Sequence, residues 1–560
     1  MSQMIERISK GLAGFPMPPR GWPLVILLAI FILAGLVGHE PWKNDDAITI
    51  GVTADMLQRG HWLAPHLADR PYPDAPLYYW TAAVTGALFS WLLPLHDAIR
   101  LASGFWVALT LFLLYRAGRE WHSAEPAPHE FAIASTLAMA GCLGFVIHAH
   151  EAQPMLVAIA GHAAAYWALA LLPRKPERAT IIFGLGLGLG FLGNGFAPML
   201  ALLPVGLAAL WLAPNRRKAG LALAGGSLLG LAIAISWPLL LLALYPSYFW
   251  QWLGSEAAQF SHPANTWRTA WNYLAMLPWF AWPALPLALW TLRSKRRFLR
   301  EPSYLMPLLA TIAVWATLSA TLEARPSSAL LLLPPLALLA APGVATLRRG
   351  AANAFDWFGV MTFSFFCILV WVGWSAMVNG TPERLAARVT KLAPGFTGEF
   401  NLLPFVIALA ATIAWAWMLT TGQRQRSPWR GLVHWLGGLT ALWLLLMNLW
   451  LPWIEYGKSY RSIGVAVKAA LPAQYGCVIG RNISDGNRAL IDYYAGVAVI
   501  RDNAAGSNRC NWMLVLRDAK GSRNLELPGW RVATEIRRPM DRSERFVLYQ
   551  RNGKPAATPK

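Results

Sequence analysis

Apolar blocks of about 20 residues recur along most of the chain and are separated by short polar segments. A helix of about 20 residues crosses the roughly 30 Å hydrocarbon core of a bilayer, and a lipid-exposed open sheet would leave backbone groups unsatisfied there. The pattern therefore predicts an all-α polytopic membrane protein with about thirteen transmembrane helices. The predicted spans are 22–38, 99–116, 131–148, 155–172, 180–193, 197–213, 219–245, 272–292, 303–320, 328–346, 356–378, 402–420 and 431–453.

Two apolar segments need a separate interpretation. No small-residue cleavage site follows the first block, 22–38, and we interpret it as a retained helix rather than a signal peptide. The segment 78–95 is apolar but short, and Arg100 follows it closely. Counting this segment as a span would invert every later loop, so we predict that it forms a helix lying at the outer surface.

Charge is scarce and unevenly distributed. Only 14% of the residues are charged although the formal net charge is +20, whereas soluble proteins average about 25% charged residues. The basic residues gather in every second loop, which is typical of cytoplasmic loops rather than of a nucleic-acid-binding surface. This distribution predicts a cytoplasmic N-terminus and an external C-terminus. The basic loops contain Arg7, Lys10 and Arg20; Arg116 and Arg119; Arg174 and Arg178; Arg216 to Lys218; Arg293 to Arg300; Arg348 and Arg349; and Arg424 to Arg430.

Three segments on the predicted outer side lie outside the spans. The first loop covers 39–94, and the aromatic, amphipathic segment 245–271 suits a helix at the membrane interface. The last segment, 454–560, predicts a small α/β domain that follows a transmembrane domain of 1–453. Its predicted helix is SYRSIGVAVKAAL, and its predicted strands are CVIGRN, VAVIRD, NWMLVLRD, WRVATEI and RFVLYQR. Cys477 and Cys510 fall in this domain, where an oxidising compartment would permit a bridge, and their pairing stays open.

Two adjacent aspartates, Asp45 and Asp46, lie near the start of the first loop. Ile48, Val52 and Met56 recur four residues apart and predict a short helix with one apolar stripe. Asn44, Asp45 and Asp46 occupy the N-terminal edge of this helix, where such residues cap a helix and acidic ones complement its dipole. A carboxylate there can also face a cavity, and the two interpretations are compatible because one residue can cap the helix while the other faces the cavity.

The run DDAITIGVTADMLQRGHWLAPHLADRPYPDAP resembles the first periplasmic loop of ArnT-like, protein-mannosyltransferase-related glycosyltransferases of the GT-C fold. That family has an acidic pair, a short helix ending in Met-Leu, a Gly-x-Trp-x-x-Pro-x-Leu motif, and a tyrosine before an acid–Lys–Pro triplet. The segments IRLASGFWVALTLFLLYRAGREW, FLGNGFAPMLALLPVGL and RPSSALLLLPPLALLAA are similar to later family segments. The matching first-loop positions are Asp45, Asp46, Met56, Leu57, Gly60, Trp62, Pro65, Leu67, Tyr72, Asp74 and Pro76.

The resemblance implies a multi-pass glycosyltransferase of the bacterial inner membrane with a periplasmic C-terminal domain. It would transfer a sugar, with inversion at the anomeric carbon, from a polyprenyl phosphate to a lipid A, protein or glycan acceptor at the periplasmic face. Asp45 would be the catalytic carboxylate that accepts a proton from the acceptor hydroxyl or orients the acceptor. Asp46 would orient Asp45 or help to hold a metal ion, and Tyr72 and Asp74 would bind substrate.

The chain departs from the family at positions that bear on phosphate binding. The lysine of the acid–Lys–Pro triplet is Ala75 here, and the lysine of the turn before the sixth span is Asn194. The aspartate of the second outer loop corresponds to about Gln153, with Glu151 two residues away. Such lysines would neutralise the leaving phosphate, so three alternatives follow: substitute residues, a bound cation, or weakened activity. Transfer of aminoarabinose to lipid A is therefore less favoured than the use of another sugar or acceptor. The candidate substitutes are Arg70, Arg268 and Arg325.

A divalent metal ion is an open alternative because His148, His150 and Glu151 lie together at the predicted outer end of the third span. A His-x-His pair with an adjacent glutamate can bind a metal, and interfacial histidines bonded to backbone or water are the other interpretation. The run from Gly184 to Gly195 resembles a nucleotide loop only superficially, because it follows no strand. Close helix packing by small residues explains this run better.

The charged residues of 245–271 also allow two interpretations. Glu256, His262 and Arg268 can line a substrate entrance, or they can lie on a solvated interfacial helix.

Two other functions stay open. A transporter of lipid-linked glycan would have charged or broken helices at mid-membrane and repeats between its halves, and neither feature is evident. A non-catalytic relative, kept as a binding partner, would explain the missing lysines. One structural criterion separates these functions from catalysis: a catalytic Asp45 should face an outer cavity that contains an arginine or a lysine.

Overall fold

The computed structural model describes residues 21–42, 45–260, 266–321, 323–421, 429–504, 507–518, 527–541 and 543–552. Asn44, His262 and the predicted basic loop residues before 21 and at 424–426 lie outside these ranges. The helices of the first half are α1 Trp22–Leu33, α2 Asp45–Arg59, α3 Leu77–Phe89, α4 Leu95–Trp121, α5 Pro128–Ala140, α6 Leu143–His148, α7 Met155–Leu171, α8 Pro176–Asn194, α9 Phe196–Leu212, α10 Arg216–Leu244, α11 Pro246–Gln259 and α12 Thr266–Phe280.

The second half contains further helices and most of the strands. The helices are α13 Ala284–Ser294, α14 Pro302–Thr321, α15 Pro326–Ala329, α16 Leu333–Thr346, α17 Arg349–Val378, α18 Glu383–Leu392, α19 Leu402–Thr421, α20 Arg430–Leu445, α21 Leu451–Lys458, α22 Arg461–Ala470 and α23 Asp485–Ala495. The strands among the described residues are β1 His66–Leu67, β2 Arg70–Pro71, β3 Val478–Arg481, β4 Val499–Arg501, β5 Trp512–Asp518, β6 Trp530–Arg537 and β7 Glu544–Arg551.

Every predicted span contains helix, and the all-α membrane class is confirmed. In the described residues, seven helical segments are long and apolar enough to cross a bilayer, or eight if α12 and α13, which meet at 99°, form one broken span. This number is lower than the thirteen predicted, because several apolar blocks form shorter helices. α1 has 12 residues and α7 and α9 have 17 each, and the block 131–148 is divided between α5 and α6.

The helix α7 lies at the centre of the bundle and packs between α4 and α8. All of its residues except Trp167 are buried. Gly161 and Gly186 face each other across α7 and α8, and a Cβ on either would lie 2.7 Å from the backbone oxygen of the other. This close approach shows that the glycine run of α8 lets the helix pack tightly on α7, as expected from the sequence.

The outer surface of the bundle exposes large apolar side chains, which suits contact with lipid. The helix α17 exposes Trp357, Phe358, Met361, Phe365, Phe366, Ile368 and Leu369.

The segment 78–95 forms α3, which has only 13 residues. At 1.5 Å per residue this helix is about 20 Å long, too short for the hydrocarbon core. It packs against α2 and α4, and its position at the outer surface stays a prediction.

The C-terminal segment forms a five-stranded mixed sheet, and each of its predicted strands is confirmed. The strand order is β4-β3-β5-β7-β6, with β3 parallel to β4 and β5, and β7 antiparallel to β5 and β6. A disulfide joins Cys477 to Cys510, which settles the open pairing. The predicted division of the chain after residue 453 falls inside α21 and stays a prediction.

Candidate active site

A cavity of about 1010 Å³ lies beside the N-terminal end of α2. We call it the Asp45 cavity. Its wall comes from distant parts of the chain: the first loop, the residues before α7, the end of α8, the segment of α11 and α12, and the end of α14 with the residues that follow it. Of the residues predicted to form the site, Asp45, Arg70, Tyr72, Asp74, Asn194, Arg268 and Arg325 line this cavity.

Asp45 is the first residue of α2, and its carboxylate is held from outside its own helix. The side-chain nitrogen Nε2 of Gln153 donates to Oδ2 of Asp45 over 3.2 Å. The other atom of the Gln153 amide, Oε1, accepts the backbone N–H of Met155 at 3.3 Å. Because the oxygen is engaged in this way, the amide presents its nitrogen to the carboxylate. Asp45 therefore faces a cavity that contains arginines, and its carboxylate does more than cap its helix.

Asp46 does not line the cavity, and its carboxylate is engaged by neighbouring residues instead. Its side chain is 1% exposed, and its oxygens receive Nη2 of Arg100 at 2.8 Å and Nε at 3.1 Å. The same carboxylate accepts the backbone N–H groups of Trp42 and Ala152 at 3.0 and 2.8 Å. Burial opposes ionisation, but Arg100 beside it lowers the pKa of Asp46. Asp46 is thus an anchor that ties α2 to the chain just before Gln153.

Asp74 is a buried carboxyl in the wall of the cavity. It accepts the hydroxyl of Tyr79 at 2.7 Å and the backbone N–H of Ala75 at 2.9 Å. Burial, with a contribution from the charge of Asp45, raises the pKa of Asp74 to about 6. Burial and the charge of Asp74 also raise the pKa of Tyr72. The backbone oxygen of Tyr72 accepts the hydroxyl of Tyr248 at 2.7 Å, so this part of the loop is held against α11.

Three guanidinium groups share the cavity with Asp45. Arg325, just before α15, donates to Glu323 at 2.7 Å. Arg70 on β2 and Arg268 on α12 are exposed, and neither guanidinium group makes a hydrogen bond or an ion pair with another described residue. Guanidinium groups bind phosphate oxygens through paired N–H donors. The cavity therefore combines a carboxylate with cations that are available to an anionic ligand.

Asn194 ends α8 at the cavity wall, next to a tight turn. Gly195 has a φ of 70°, and a Cβ there would lie 2.4 Å from Oε2 of Glu256. That oxygen accepts the backbone N–H of Phe196 at 3.0 Å, at the start of α9. Glu256 is only 5% exposed, and burial raises its pKa to about 7. It neither lines the cavity nor lies on a solvated face, so both interpretations of this residue from sequence were wrong.

The histidines near α6 do not form a metal site with the neighbouring glutamate. The ring nitrogens of His150 lie 2.5 Å from the backbone oxygen of Val146 and 2.6 Å from that of Phe31. Nδ1 of His148 lies 3.2 Å from Oε2 of Glu151, and none of these three residues lines the Asp45 cavity. Among the described residues there is no group of three His, Cys, Asp or Glu side chains placed to hold a metal ion.

The sheet domain contacts the first loop through α23, a helix that the sequence interpretation missed. Ala489 of α23 packs so closely on Gly51 of α2 that a Cβ at position 51 would lie 2.7 Å from the Cβ of Ala489. Arg59 of α2 donates both Nη atoms to Asp492 of α23, each over 2.9 Å. Arg501 donates to Asp69, whose side chain is 6% exposed, at 2.7 Å. The sheet domain thus braces the loop that carries Asp45 and Arg70.

The helical bundle, the first loop with its acidic pair and the C-terminal sheet domain define a polytopic membrane protein of the GT-C fold. Its fold is that of ArnT: the chain superposes on ArnT from Cupriavidus metallidurans, in the structure bound to undecaprenyl phosphate, with a TM-score of 0.65. The superposition covers 96% of this chain and 99% of that one at 15% sequence identity.

Sequence comparison gives the same relationship. The chain is 30% identical over 317 residues to the undecaprenyl phosphate-alpha-4-amino-4-deoxy-L-arabinose arabinosyl transferase of Pectobacterium atrosepticum, which covers 51% of this chain and 53% of that protein. The match to this relative thus spans about half of its length. The transferase of the same name from Pseudomonas savastanoi pv. phaseolicola is 26% identical over 443 residues, or 76% of each chain. No family model matches the chain. The chain is therefore ArnT-like in sequence and in fold.

Proposed function

We propose that the protein is an inverting glycosyltransferase that moves a sugar from a polyprenyl phosphate to a lipid A, protein or glycan acceptor. The observation that carries this proposal is the Asp45 cavity, in which a carboxylate faces the same space as three arginines. The names of the relatives support a donor linked to undecaprenyl phosphate.

In the proposed reaction, Asp45 accepts the proton of the acceptor hydroxyl as its oxygen bonds to the anomeric carbon. The bond between that carbon and the phosphate oxygen breaks on the opposite face of the sugar, and the polyprenyl phosphate leaves as an anion without needing a proton. Arg70, Arg268 and Arg325 would stabilise the charge that develops on the leaving phosphate. They would take the place of the lysines that are absent at positions 75 and 194.

Two further side chains would act through Asp45 and are positioning residues. Gln153 holds one carboxylate oxygen of Asp45. Asp46, through its ion pair with the fully buried Arg100 and its bond to Ala152, fixes the distance between α2 and the segment that carries Gln153. A carboxylate kept in one orientation by its neighbours avoids reorganisation during the reaction.

The proposed location is the bacterial inner membrane, with the N-terminus in the cytoplasm and the sheet domain in the periplasm. The basic residues in every second loop support this orientation, and the Cys477–Cys510 disulfide suits an oxidising compartment. Substrate transfer would then occur at the periplasmic face, where the first loop and the sheet domain meet.

The test supplies membranes containing the unmodified protein with a panel of labelled polyprenyl-phosphate sugars and a whole-envelope acceptor mixture. We expect label to move to an acceptor, and the labelled product identifies which sugar and acceptor the enzyme uses. The matched control uses membranes that lack the protein. Absence of transfer across the panel, with intact protein present, would favour a non-catalytic relative. Movement of intact donor across the membrane without transfer would favour a transporter.

A further inference from the structure

The helix α18, Glu383–Leu392, lies between two membrane-spanning helices, and none of its residues is buried. Its residues fall on two adjacent faces at helical spacing. The basic face consists of Arg384, Arg388 and Lys391, and the apolar face consists of Leu385, Val389 and Leu392. The only acidic residue of this helix is Glu383 at its first position. Such a helix is typical of segments that lie flat in a membrane interface.

The neighbouring spans place α18 at the level of the lipid headgroups. α17 ends at Val378, so only four residues join it to α18, and four residues reach at most about 14 Å. An aromatic cluster lies at this end of α17 and α19, with ring centroids 5.4–6.2 Å apart. Tryptophan and other aromatic side chains gather where spans meet the membrane interface. The cluster consists of Trp371, Trp374, Phe400 and Phe405.

The chain after α18 is fixed to the rest of the protein. The hydroxyl of Tyr456 on α21 donates to the backbone oxygen of Pro394 at 2.7 Å, and its ring lies 5.5 Å from that of Phe396. Ala393 is fully buried. These contacts hold α18 in place without covering its basic face, because the side chains of Arg384, Arg388 and Lys391 are exposed and unpaired among the described residues.

The order of the spans puts α18 on the same side of the membrane as the Asp45 cavity. Arg325 lines that cavity just before the span 326–346, and the next span is α17. One span leads away from the cavity side and α17 leads back, so the end of α17 and the helix after it return to that side.

We propose that α18 lies in the membrane interface and that its basic face binds the headgroups of anionic phospholipids. Each lysine or arginine close to an anionic membrane surface raises the affinity of its segment for that surface by about fivefold. Three such residues would enrich anionic lipid beside α18 well above its bulk fraction. This inference does not depend on the reaction that the protein catalyses.

The test uses the full-length protein in nanodiscs with a fluorophore on Ala387→Cys, an exposed position on α18. The native cysteines do not compete for the label, because Cys142 and Cys367 are buried and Cys477 is bonded to Cys510. Phosphatidylglycerol or phosphatidylcholine carrying a nitroxide quencher is then titrated into the nanodisc. We expect half-maximal quenching at a fraction of phosphatidylglycerol that is lower by at least about fivefold, the effect of one such residue, and we expect 0.5 M salt to remove most of this difference.

The decisive variant is Arg384→Gln/Arg388→Gln/Lys391→Gln, which keeps side chains of similar size on the helix but removes its positive charge. We expect both lipids to quench it equally. The matched control, Lys468→Gln/Arg509→Gln, removes two exposed cations of the sheet domain and should keep the preference. Equal quenching by both lipids before any charge is removed would overturn the proposal, and so would a preference that survives in the triple variant.

Discussion

Gln153 donates its side-chain N–H to Oδ2 of Asp45 across 3.2 Å, although the two residues are 108 positions apart in the chain. The oxygen of the same amide, Oε1, accepts a hydrogen bond from the backbone N–H of Met155. The proposed catalytic carboxylate is therefore oriented by a neutral donor rather than by a cation.

Gln153→Leu should lower kcat by about tenfold to a hundredfold, because a hydrogen bond to a charged group contributes about 1.5–3 kcal/mol. We expect a smaller change in KM for the donor, since Gln153 acts through Asp45. The matched control is Gln259→Leu, which removes another cavity glutamine whose side-chain amide donates to Glu256 rather than to Asp45. Steady-state transfer rates decide the matter: equal losses in the two variants would show that Gln153 has no special role.

Removal of the unpaired cavity cations should weaken phosphate binding. Arg70→Gln and Arg268→Gln should each reduce kcat/KM by about tenfold or more, as expected for a charge-assisted hydrogen bond. Arg325→Gln should have a smaller effect because its guanidinium already pairs with Glu323. Arg481→Gln, on the exposed side of the sheet domain, serves as the control. If all four variants have the same kcat/KM, the arginines do not replace the missing lysines.

Loosening the contact between the sheet domain and the first loop should reduce both stability and activity. Asp69→Asn leaves the guanidinium of Arg501 with one carboxylate partner, Asp485. The side chains of Asp69 and Arg501 are only 6% and 12% exposed, so water cannot fully replace the lost partner. Breaking such a buried pair costs about 3 kcal/mol. Asp502→Asn disrupts an ion pair with Arg481 whose side chains are 46% and 42% exposed, and it should cost less than about 1 kcal/mol. Thermal unfolding in detergent compares the two, and equal midpoints would refute the bracing role.

Glu256 should make stability depend on pH. Burial raises its pKa from 4.5 to about 7 in the folded protein, so between these values the folded chain holds a proton that the unfolded chain releases. Its contribution to stability is therefore fully present below about pH 4.5 and is lost as the pH rises through 7. Glu256→Gln, which stays neutral, should gain in unfolding temperature relative to the unmodified protein between pH 5 and pH 8. A difference that is constant across this range would show that Glu256 does not titrate as described.

The helical architecture could be predicted because the length of most apolar blocks matches the thickness of a bilayer. The strands of the C-terminal sheet were equally predictable from their β-branched runs. The helix α23 was not, because DGNRALIDYYA is short and largely polar, and what stabilises it is its packing against Gly51 of α2. The length of each span was overestimated where glycine or a turn ends a helix early, as between α5 and α6.

The members of the candidate site were predictable from the family resemblance, but their roles were not. Asp45 and Asp46 are adjacent and chemically alike, and the position of Arg100 determines which of them is paired. Asp46 forms an ion pair with Arg100, whereas Asp45 faces the cavity. Glu256 gave no signal of burial, because a glutamate on an amphipathic helix is usually solvated. Long-range pairing of this kind leaves no periodicity in the sequence.

The most direct measurement compares sugar transfer by the unmodified protein, Asp45→Asn and Glu323→Gln, using a donor and acceptor that the unmodified protein accepts. Glu323 lines the same cavity, so its variant removes a negative charge there without touching Asp45. A general base contributes about 10²–10⁴-fold, and we expect Asp45→Asn to lose at least hundredfold in kcat while Glu323→Gln keeps most of its activity. Undiminished transfer by Asp45→Asn would remove this carboxylate from the mechanism and leave it as a helix cap.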